Sequence, residues 1–266
     1  MGGGKSVIYK MGADRNACFE KFGEQVDAIG GRYVAAEDVG ATVNDMRAIA
    51  RKTKYVAGIP KEGGQAGGDP SPWTSLGVYL SIAAVLGGSV QGRTIAVQGT
   101  GAVGFGLCKL LVENGAKLIV ADVNAKNLDR AKALGAEAVD VDRIHAAKAD
   151  LFSPCALGAG LNARTIPELG APIICGAANN QLAEPRHGDD LHARGILYAP
   201  DYAINAGGLV NVAQEVAGYD AKISREKTLK IYDTILDIAE RSEKLKSPTY
   251  RVADIMVEEK LARLGA

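Results

Sequence analysis

The chain has 266 residues, which is enough to bury a sizeable core and favours two lobes over one small domain. Lys+Arg and Asp+Glu each number 31, so no net charge attracts the protein to nucleic acid or to an anionic membrane surface. A small neutral or zwitterionic ligand fits this balance better.

The cysteines are far apart and show no C-x-x-C spacing, which argues against a zinc site and against a disulfide framework: Cys18, Cys108, Cys155 and Cys175. No apolar run is long enough to span a bilayer, and the start MGGGKSVIYK lacks the features of a signal peptide. We therefore expect a protein of the reducing cytoplasm, with no membrane contact.

The first part of the chain predicts a small α/β lobe. Short β-branched or aromatic runs (SVIYK, GRYVAAEDV and KYVAGI) alternate with helical stretches around residues 16–29 and 43–52. The segment KEGGQAGGDPSP is rich in Gly and Pro and predicts a loop or hinge, followed by an apolar helix over 74–86. Residues 1–70 are therefore expected to form a small first lobe, with the lobe boundary in this segment.

A stronger alternation follows Gly92. TIAVQG predicts a buried strand, VGFGLCKLLVENG a helix ended by glycine, and KLIVADV the next strand. Further strands are predicted over 150–153, 172–175 and 196–198. This pattern predicts an α/β fold, a doubly wound parallel sheet of the Rossmann type, over 71–205, with C-terminal helices over 206–266 completing the cleft.

A G-x-G-x-x-G motif lies between the first strand and the first helix of this region. A lone match would be weak, but strand, turn and helix occur here in the required order. The first glycine permits the turn, the second lets a pyrophosphate approach the backbone, and the third lets helix and strand pack closely. The candidate dinucleotide-binding residues are Gly99, Thr100, Gly101, Ala102, Val103 and Gly104.

Asp122 ends the second strand, where a carboxylate would accept hydrogen bonds from the adenosine ribose and repel a 2′-phosphate. The sequence therefore predicts NAD rather than NADP. Lys126 and Arg130 follow closely and would suit a 2′-phosphate. The alternative for the whole motif is a glycine turn next to a solvated acid.

Three further motifs, GGGK at residues 2–5, AEDVG at 36–40 and NAGG at 205–208, occur together with this fingerprint. With them the chain resembles, over essentially its whole length, the amino-acid dehydrogenase family that acts on glutamate, leucine, phenylalanine and valine, and its leucine-specific members most. A phosphate-loop reading of GGGKS is rejected because SVIY predicts a strand, not a helix. The resemblance implies that residues 1–70 are a substrate and catalytic lobe. The family has a longer first lobe with a second lysine upstream of GGGK, so we expect this lobe to be partial and to lack its N-terminal part.

The resemblance implies that Lys5 is the base that activates water and that Asp38 is the second proton-transfer residue. The role of Lys5 requires it to give up its charge, which burial and nearby positive charge would favour. Glu37 would point to the opposite face of an extended segment. The alternatives are an ordinary surface lysine and a pair of solvated acids at the end of a strand.

The resemblance also implies that Thr74 binds the nicotinamide carboxamide, that Asn180 contacts the polar end of the substrate and that Asn179 lies near the cofactor. Short amides at the carboxyl end of a strand lie where a doubly wound fold binds ligands. A helix-capping threonine and an Asn-Asn turn are the alternatives.

Apolar side chains follow the segment DYAINAGG, and by resemblance Leu209 and Val212 face Ala36 across the substrate side chain. Such a wall would disfavour glutamate, although ordinary core packing would explain the same residues.

The segment RHGDDLH suggests a metal cluster, but its spacing matches no standard site, and helix capping by its aspartates is simpler. No metal is expected at His187, Asp189, Asp190 and His192.

The resemblance thus implies NAD-dependent oxidative deamination of an apolar L-amino acid of the leucine, valine or isoleucine type, giving the 2-oxo acid, ammonium and NADH. A small-molecule substrate and a homo-oligomer are expected. The alternatives are a catalytically silent NAD-binding module and a phenylalanine-preferring enzyme. A different NAD dehydrogenase would leave GGGK, AEDVG and NAGG unexplained together.

Overall fold

The computed structural model describes residues 4–9, 12, 14–38, 40–60, 68–216 and 218–265. Gly2 and Gly3 of the GGGK motif and the loop segment 61–67 lie outside this part of the chain. The chain divides into two compact units: Met1–Pro70 with Leu209–Glu226, and Ser71–Gly208 with Lys227–Ala266. Residues 206–266 are thus divided between the units.

The first unit contains two packed helices, close to those predicted from the sequence. Helix α1 spans Arg15–Ala28 and helix α2 spans Val43–Ala50. A capping box begins α2, in which the Thr42 side chain and the Asp45 carboxylate each accept a hydrogen bond from the other residue's backbone N–H. The small core between the helices and the extended chain contains Ala35, Met46 and Ile49.

The strands predicted for the first unit are mostly wrong. Residues 6–9 form no regular secondary structure, and Val7 and Tyr9 are 88% and 81% exposed. Among the described residues of this unit, strand pairing is limited to an isolated parallel bridge between Ala35 and Val56. A β-branched run becomes a strand only when a neighbouring strand satisfies its backbone, and the described residues of this unit supply none for residues 6–9.

The second unit is built on a parallel sheet, as predicted. Six strands lie in the order β3-β2-β1-β4-β5-β6. Their bounds are β1 Thr94–Gln98, β2 Lys117–Ala121, β3 Glu137–Ala138, β4 Leu151–Pro154, β5 Ile173–Ile174 and β6 Leu197–Tyr198. The central strand β1 pairs with β2 and β4, so the carboxyl ends of these three strands meet at one edge of the sheet. Strand β3, with two residues, is too short for the sequence pattern to predict.

Helices cover both faces of this sheet. The bounds of the remaining helices are α3 Ser71–Val85, α4 Ala102–Glu113, α5 Ala125–Lys132, α6 Arg186–Ala193, α7 Asp201–Ile204, α8 Ala206–Val216, α9 Ala221–Leu245 and α10 Thr249–Leu264. On one face, apolar residues of α3, α4 and α9 pack on β1, including Val78, Leu107 and Ile235. On the other face, Phe152 packs with Leu191 of α6. None of the helices in the described ranges is long and apolar enough to cross a membrane.

Candidate functional site

The glycine motif forms the turn between β1 and α4. Gly99 has a φ of +88°, a left-handed conformation that side chains other than glycine's rarely adopt. A Cβ atom on Gly104 would lie closer than 3.0 Å to the Gly99 carbonyl oxygen, so only glycine permits this approach of helix to strand. Both glycines therefore occupy the backbone positions that the motif predicts.

The start of α4 is open above the turn. Gly101 is the N-cap residue of α4, and no described atom lies within 4 Å of the position that a Cβ atom would take there. Ala102 is exposed and Val103 is half-buried. The N–H groups of a helix's first turn have no partner within the helix and carry partial positive charge. This surface fits the pyrophosphate of a dinucleotide.

Asp122 follows β2 and is fixed against the glycine turn. Its Oδ2 accepts hydrogen bonds from the backbone N–H of Thr100 at 2.6 Å and from the Thr100 hydroxyl at 3.1 Å. Its Oδ1 accepts one from the backbone N–H of Asn124 at 2.7 Å. Burial opposes ionisation, but the N–H groups of Asn124 and Thr100 outweigh it and lower the pKa of Asp122. The carboxylate is thus a fixed negative charge at the turn.

The two nearby cations are placed differently. Lys126 lies in α5 and is exposed. The guanidinium carbon of Arg130 lies 3.9 Å from the centre of the Phe105 ring, so this side chain is engaged by a ring on α4.

The two amides predicted at the carboxyl end of β5 are both exposed. Asn179 Oδ1 accepts a hydrogen bond of 2.5 Å from Asn205 Nδ2 of the NAGG segment. Asn180 has a φ of +52°, a left-handed conformation that asparagine tolerates better than most residues. The turn that the alternative predicted is therefore present, and it presents both amides at the ligand-binding edge of the sheet.

Thr74 lies inside the first turn of α3, half-buried, so the alternative that it caps the helix is wrong. A Cβ atom on Gly207 would lie closer than 3.0 Å to the Trp73 carbonyl oxygen. The NAGG segment therefore packs directly against the turn that carries Thr74. Within the second unit, Thr74 and the Asn179–Asn205 pair are thus placed on interacting segments.

The first unit brings the two predicted proton-transfer residues together. The Lys5 ammonium donates a hydrogen bond to Asp38 Oδ2, although 33 residues separate them in the chain. Their side chains are 70% and 45% exposed, so Lys5 lacks the burial that we expected for a base. Glu37 instead is half-buried, and burial raises its pKa, with the charges of Asp69 and Asp45 adding to the effect.

The predicted apolar wall residues all belong to the first unit. Leu209 is 69% exposed, whereas Ala36 and Val212 are half-buried. A cavity of about 520 Å³ in the same unit has other lining residues, among them Val34, Val56 and Glu215. The sequence reasoning missed Glu215, whose Oε2 accepts a hydrogen bond of 2.8 Å from the Gly58 N–H.

The aspartates of RHGDDLH do not cap a helix, so that interpretation is wrong. Both lie inside α6, whose N-cap residue is Pro185. Asp189 instead accepts hydrogen bonds from Arg251 at 2.9 Å and from the Tyr250 hydroxyl at 3.3 Å. Buried His187 accepts a hydrogen bond from the Glu184 N–H through its Nδ1 atom at 3.0 Å, and His192 also lies within α6.

Asp201, the first residue of the segment DYAINAGG, has a contact that the motif did not predict. Asp201 is buried, and its carboxylate accepts a hydrogen bond of 2.8 Å from the Gln181 N–H. The only signal in the sequence was an acid at the start of a helix, which usually caps that helix.

A parallel sheet with an open glycine turn and an ionised acid beside it defines a dinucleotide-binding domain. Residues 120–239 match the family model described as Glutamate/Leucine/Phenylalanine/Valine dehydrogenase. The chain is 47% identical over 269 residues to the leucine dehydrogenase of Geobacillus stearothermophilus, covering 98% of this chain and 73% of that relative. The leucine dehydrogenase of Bacillus subtilis is 47% identical over 272 residues, covering 99% and 74%.

The fold is similar to the crystal structure of L-tryptophan dehydrogenase from Nostoc punctiforme. The TM-score is 0.81 at 39% identity, and the match covers 93% of this chain and 73% of the other. The chain therefore belongs to the glutamate/leucine/phenylalanine/valine dehydrogenase family. Its members are oxidoreductases that depend on a pyridine nucleotide.

Proposed function

We propose that the chain catalyses the NAD-dependent oxidative deamination of an apolar aliphatic L-amino acid to its 2-oxo acid. The observation that carries this proposal is the contact between Lys5 and Asp38, because two groups that exchange protons with water and ammonia must lie close together. A homo-oligomer in the cytoplasm stays the expectation for its assembly and location.

NAD is the proposed cofactor. The open surface at Gly101 and the free N–H groups of α4 would hold its pyrophosphate, and ionised Asp122 would face the adenosine ribose. A 2′-phosphate at that place would meet the fixed negative charge of Asp122, which favours NAD over NADP. When bound, NAD would supply the hydride acceptor for the α-hydrogen of the substrate. Thr74 and Asn179 are proposed to orient the nicotinamide end.

The proton steps fall to the first unit. In the proposed mechanism the Lys5 ammonium first passes a proton to Asp38, and the neutral Lys5 Nζ then takes a proton from the water that attacks the substrate imine. Asp38 Oδ2 is hydrogen-bonded to that nitrogen, so it can pass protons between Lys5 and the departing ammonia. Asn180 is proposed to bind the polar end of the substrate. Since Lys5 is exposed in this structure, water must be excluded from it when substrate binds.

An aliphatic substrate is proposed because Leu209, Val212 and Ala36 offer only carbon surface. Burying the side chain of leucine, valine or isoleucine there would stabilise it by about 0.8 kcal/mol per methylene. The second carboxylate of glutamate would have no partner on such a wall. Phenylalanine ranks second because Ala36 is small and leaves room for a ring.

A second candidate is a dinucleotide-binding module without catalysis, which is favoured by the 70% exposure of the Lys5 side chain. NADH formation is to be measured with leucine, valine, isoleucine, phenylalanine, tryptophan and glutamate as substrates, alongside NAD affinity. We expect the highest kcat/KM with the aliphatic amino acids and the lowest with glutamate. A preference for glutamate would contradict the proposed wall, and NAD binding without turnover would select the module.

A further inference from the structure

The loop 176–181 follows β5 and carries both exposed amides, Asn179 and Asn180. Its far end is tied to the segment after β4 by two backbone hydrogen bonds. The Ala159 N–H donates to the Asn180 carbonyl at 2.7 Å, and the Leu161 N–H donates to the Gln181 carbonyl at 2.9 Å. These bonds fix the loop on the side that faces the segment after β4.

The other side is held by the carboxylate of Asp201, the first residue of α7. Asp201 as a whole residue is 7% exposed. Its Oδ2 accepts the Gln181 N–H at 2.8 Å, and its Oδ1 accepts the Tyr202 N–H at 2.7 Å. A buried carboxylate requires such donors, since removing one leaves a charge without compensation. The position of Gln181 is thus coupled to that of α7.

The residue after α7 contacts the same loop. Asn205 Nδ2 donates to Asn179 Oδ1 at 2.5 Å and to the Ala177 carbonyl at 3.2 Å. This bond uses one lone pair of the Asn179 oxygen, and the Asn179 NH₂ group is a donor for other partners. Within the loop, Gln181 Nε2 donates to the Gly176 carbonyl at 2.6 Å. Both ends of α7 therefore hold the loop, one at Gln181 and one at Asn179.

We propose that Asp201 is a positioning residue that sets the direction of the Asn179 and Asn180 amides by fixing the Gln181 N–H. This inference rests on the proposed function, in which these amides bind cofactor and substrate. Asp201 is buried behind the loop and acts through Gln181. Its loss should therefore weaken ligand binding more than the chemical step.

A purely structural role makes a different prediction. An acid in the first turn of a helix stabilises that helix, and its removal would lower stability without moving substrate affinity. A control in the same unit is Asp150, whose side chain is 39% exposed and whose carboxylate also accepts a backbone N–H, that of Thr94 at 2.7 Å. Asp150 lies at the amino end of the sheet, away from the amide loop. The two acids therefore share the type of bond but not the place.

The test compares Asp201→Asn with Asp150→Asn. The new amide at 201 can accept from only one of the two N–H groups and turns its own NH₂ towards the other. We expect KM for the amino acid to rise about tenfold in Asp201→Asn with kcat within about twofold, and no such split in Asp150→Asn. We also expect faster hydrogen exchange at the Gln181 amide in Asp201→Asn alone.

Equal KM values in the two variants, or unchanged exchange at Gln181 in Asp201→Asn, would overturn the proposal. If the unsubstituted protein shows no turnover, the proposed function fails. The positioning role is then decided by two other measurements in Asp201→Asn, the hydrogen exchange of the Gln181 amide and the affinity for NADH. If Asp201→Asn does not fold, Asn205→Ala removes the second contact with the loop and should raise KM in the same way. A folded Asn205→Ala protein with unchanged KM would contradict the inference.

Discussion

Alanine substitution at two glycines of the same turn should impair two different properties of the protein. At Gly104 the added methyl would lie closer than 3.0 Å to the Gly99 carbonyl oxygen, a backbone atom that cannot swing aside. At Gly101 it would meet no described atom within 4 Å. We therefore expect Gly104→Ala to lose stability and Gly101→Ala to lose dinucleotide affinity.

The magnitudes follow from the two environments. Overpacking a rigid site costs about 3 kcal/mol, the upper end of the usual range, because here the backbone must move. For a domain of this size that lowers Tm by about 6 to 12 °C. Alanine in place of an N-cap glycine costs about 1 kcal/mol or less, so Gly101→Ala should melt within about 4 °C of the parent. Its methyl fills the space through which the pyrophosphate approaches, which should raise the Kd for NADH about tenfold, or about 1.4 kcal/mol.

Thermal unfolding and NADH fluorescence titration measure both effects on the same samples, with each variant as the control for the other. The reasoning is refuted if Gly101→Ala binds NADH as tightly as the parent. It is equally refuted if Gly104→Ala melts at the temperature of the parent protein.

Three more outcomes are expected. Asp122→Ser removes the fixed charge that would repel a 2′-phosphate. The ratio of the Kd for NADP to the Kd for NAD should therefore fall in this variant. Tighter binding of NADP than of NAD by the parent protein would contradict the assignment. Lys5→Ala should abolish turnover with the Kd for NAD nearly unchanged, because Lys5 acts on water and not on the cofactor; retained turnover would remove it from the mechanism. The Arg15 guanidinium lowers the pKa of buried Asp45 from 3.8 to about 2, so this carboxylate stabilises the fold above pH 4 and loses that effect as pH falls through 2. Between pH 4 and pH 2 the free energy of unfolding should therefore fall by about 2 kcal/mol less in Asp45→Asn than in the parent protein. Denaturant titration at each pH measures this difference. An equal fall in both proteins would contradict the prediction.

The geometry of the glycine turn could be predicted because its parts are contiguous in the chain. Gly99, Gly104 and Asp122 lie within one strand-turn-helix-strand segment, and the backbone requirements of that segment are local. A left-handed turn, a close helix-strand contact and an acid at a strand end each restrict residue type at a known spacing. The sheet followed from the same local alternation of buried strands and helices.

The remaining features depended on contacts between distant parts of the chain. The sequence supplied Lys5 and Asp38 through motifs, but only the tertiary structure placed the two side chains in contact and left Lys5 exposed. In the same way, residues 6–9 have the composition of a strand but lack a neighbour to pair with among the described residues. The bond of Asp201 to Gln181 joins residues 20 positions apart, and no local pattern encodes which N–H group a buried acid will accept. Local chain geometry therefore determined the glycine turn. Long-range packing decided which polar groups meet, because a contact between distant residues requires the chain between them to form a closed loop.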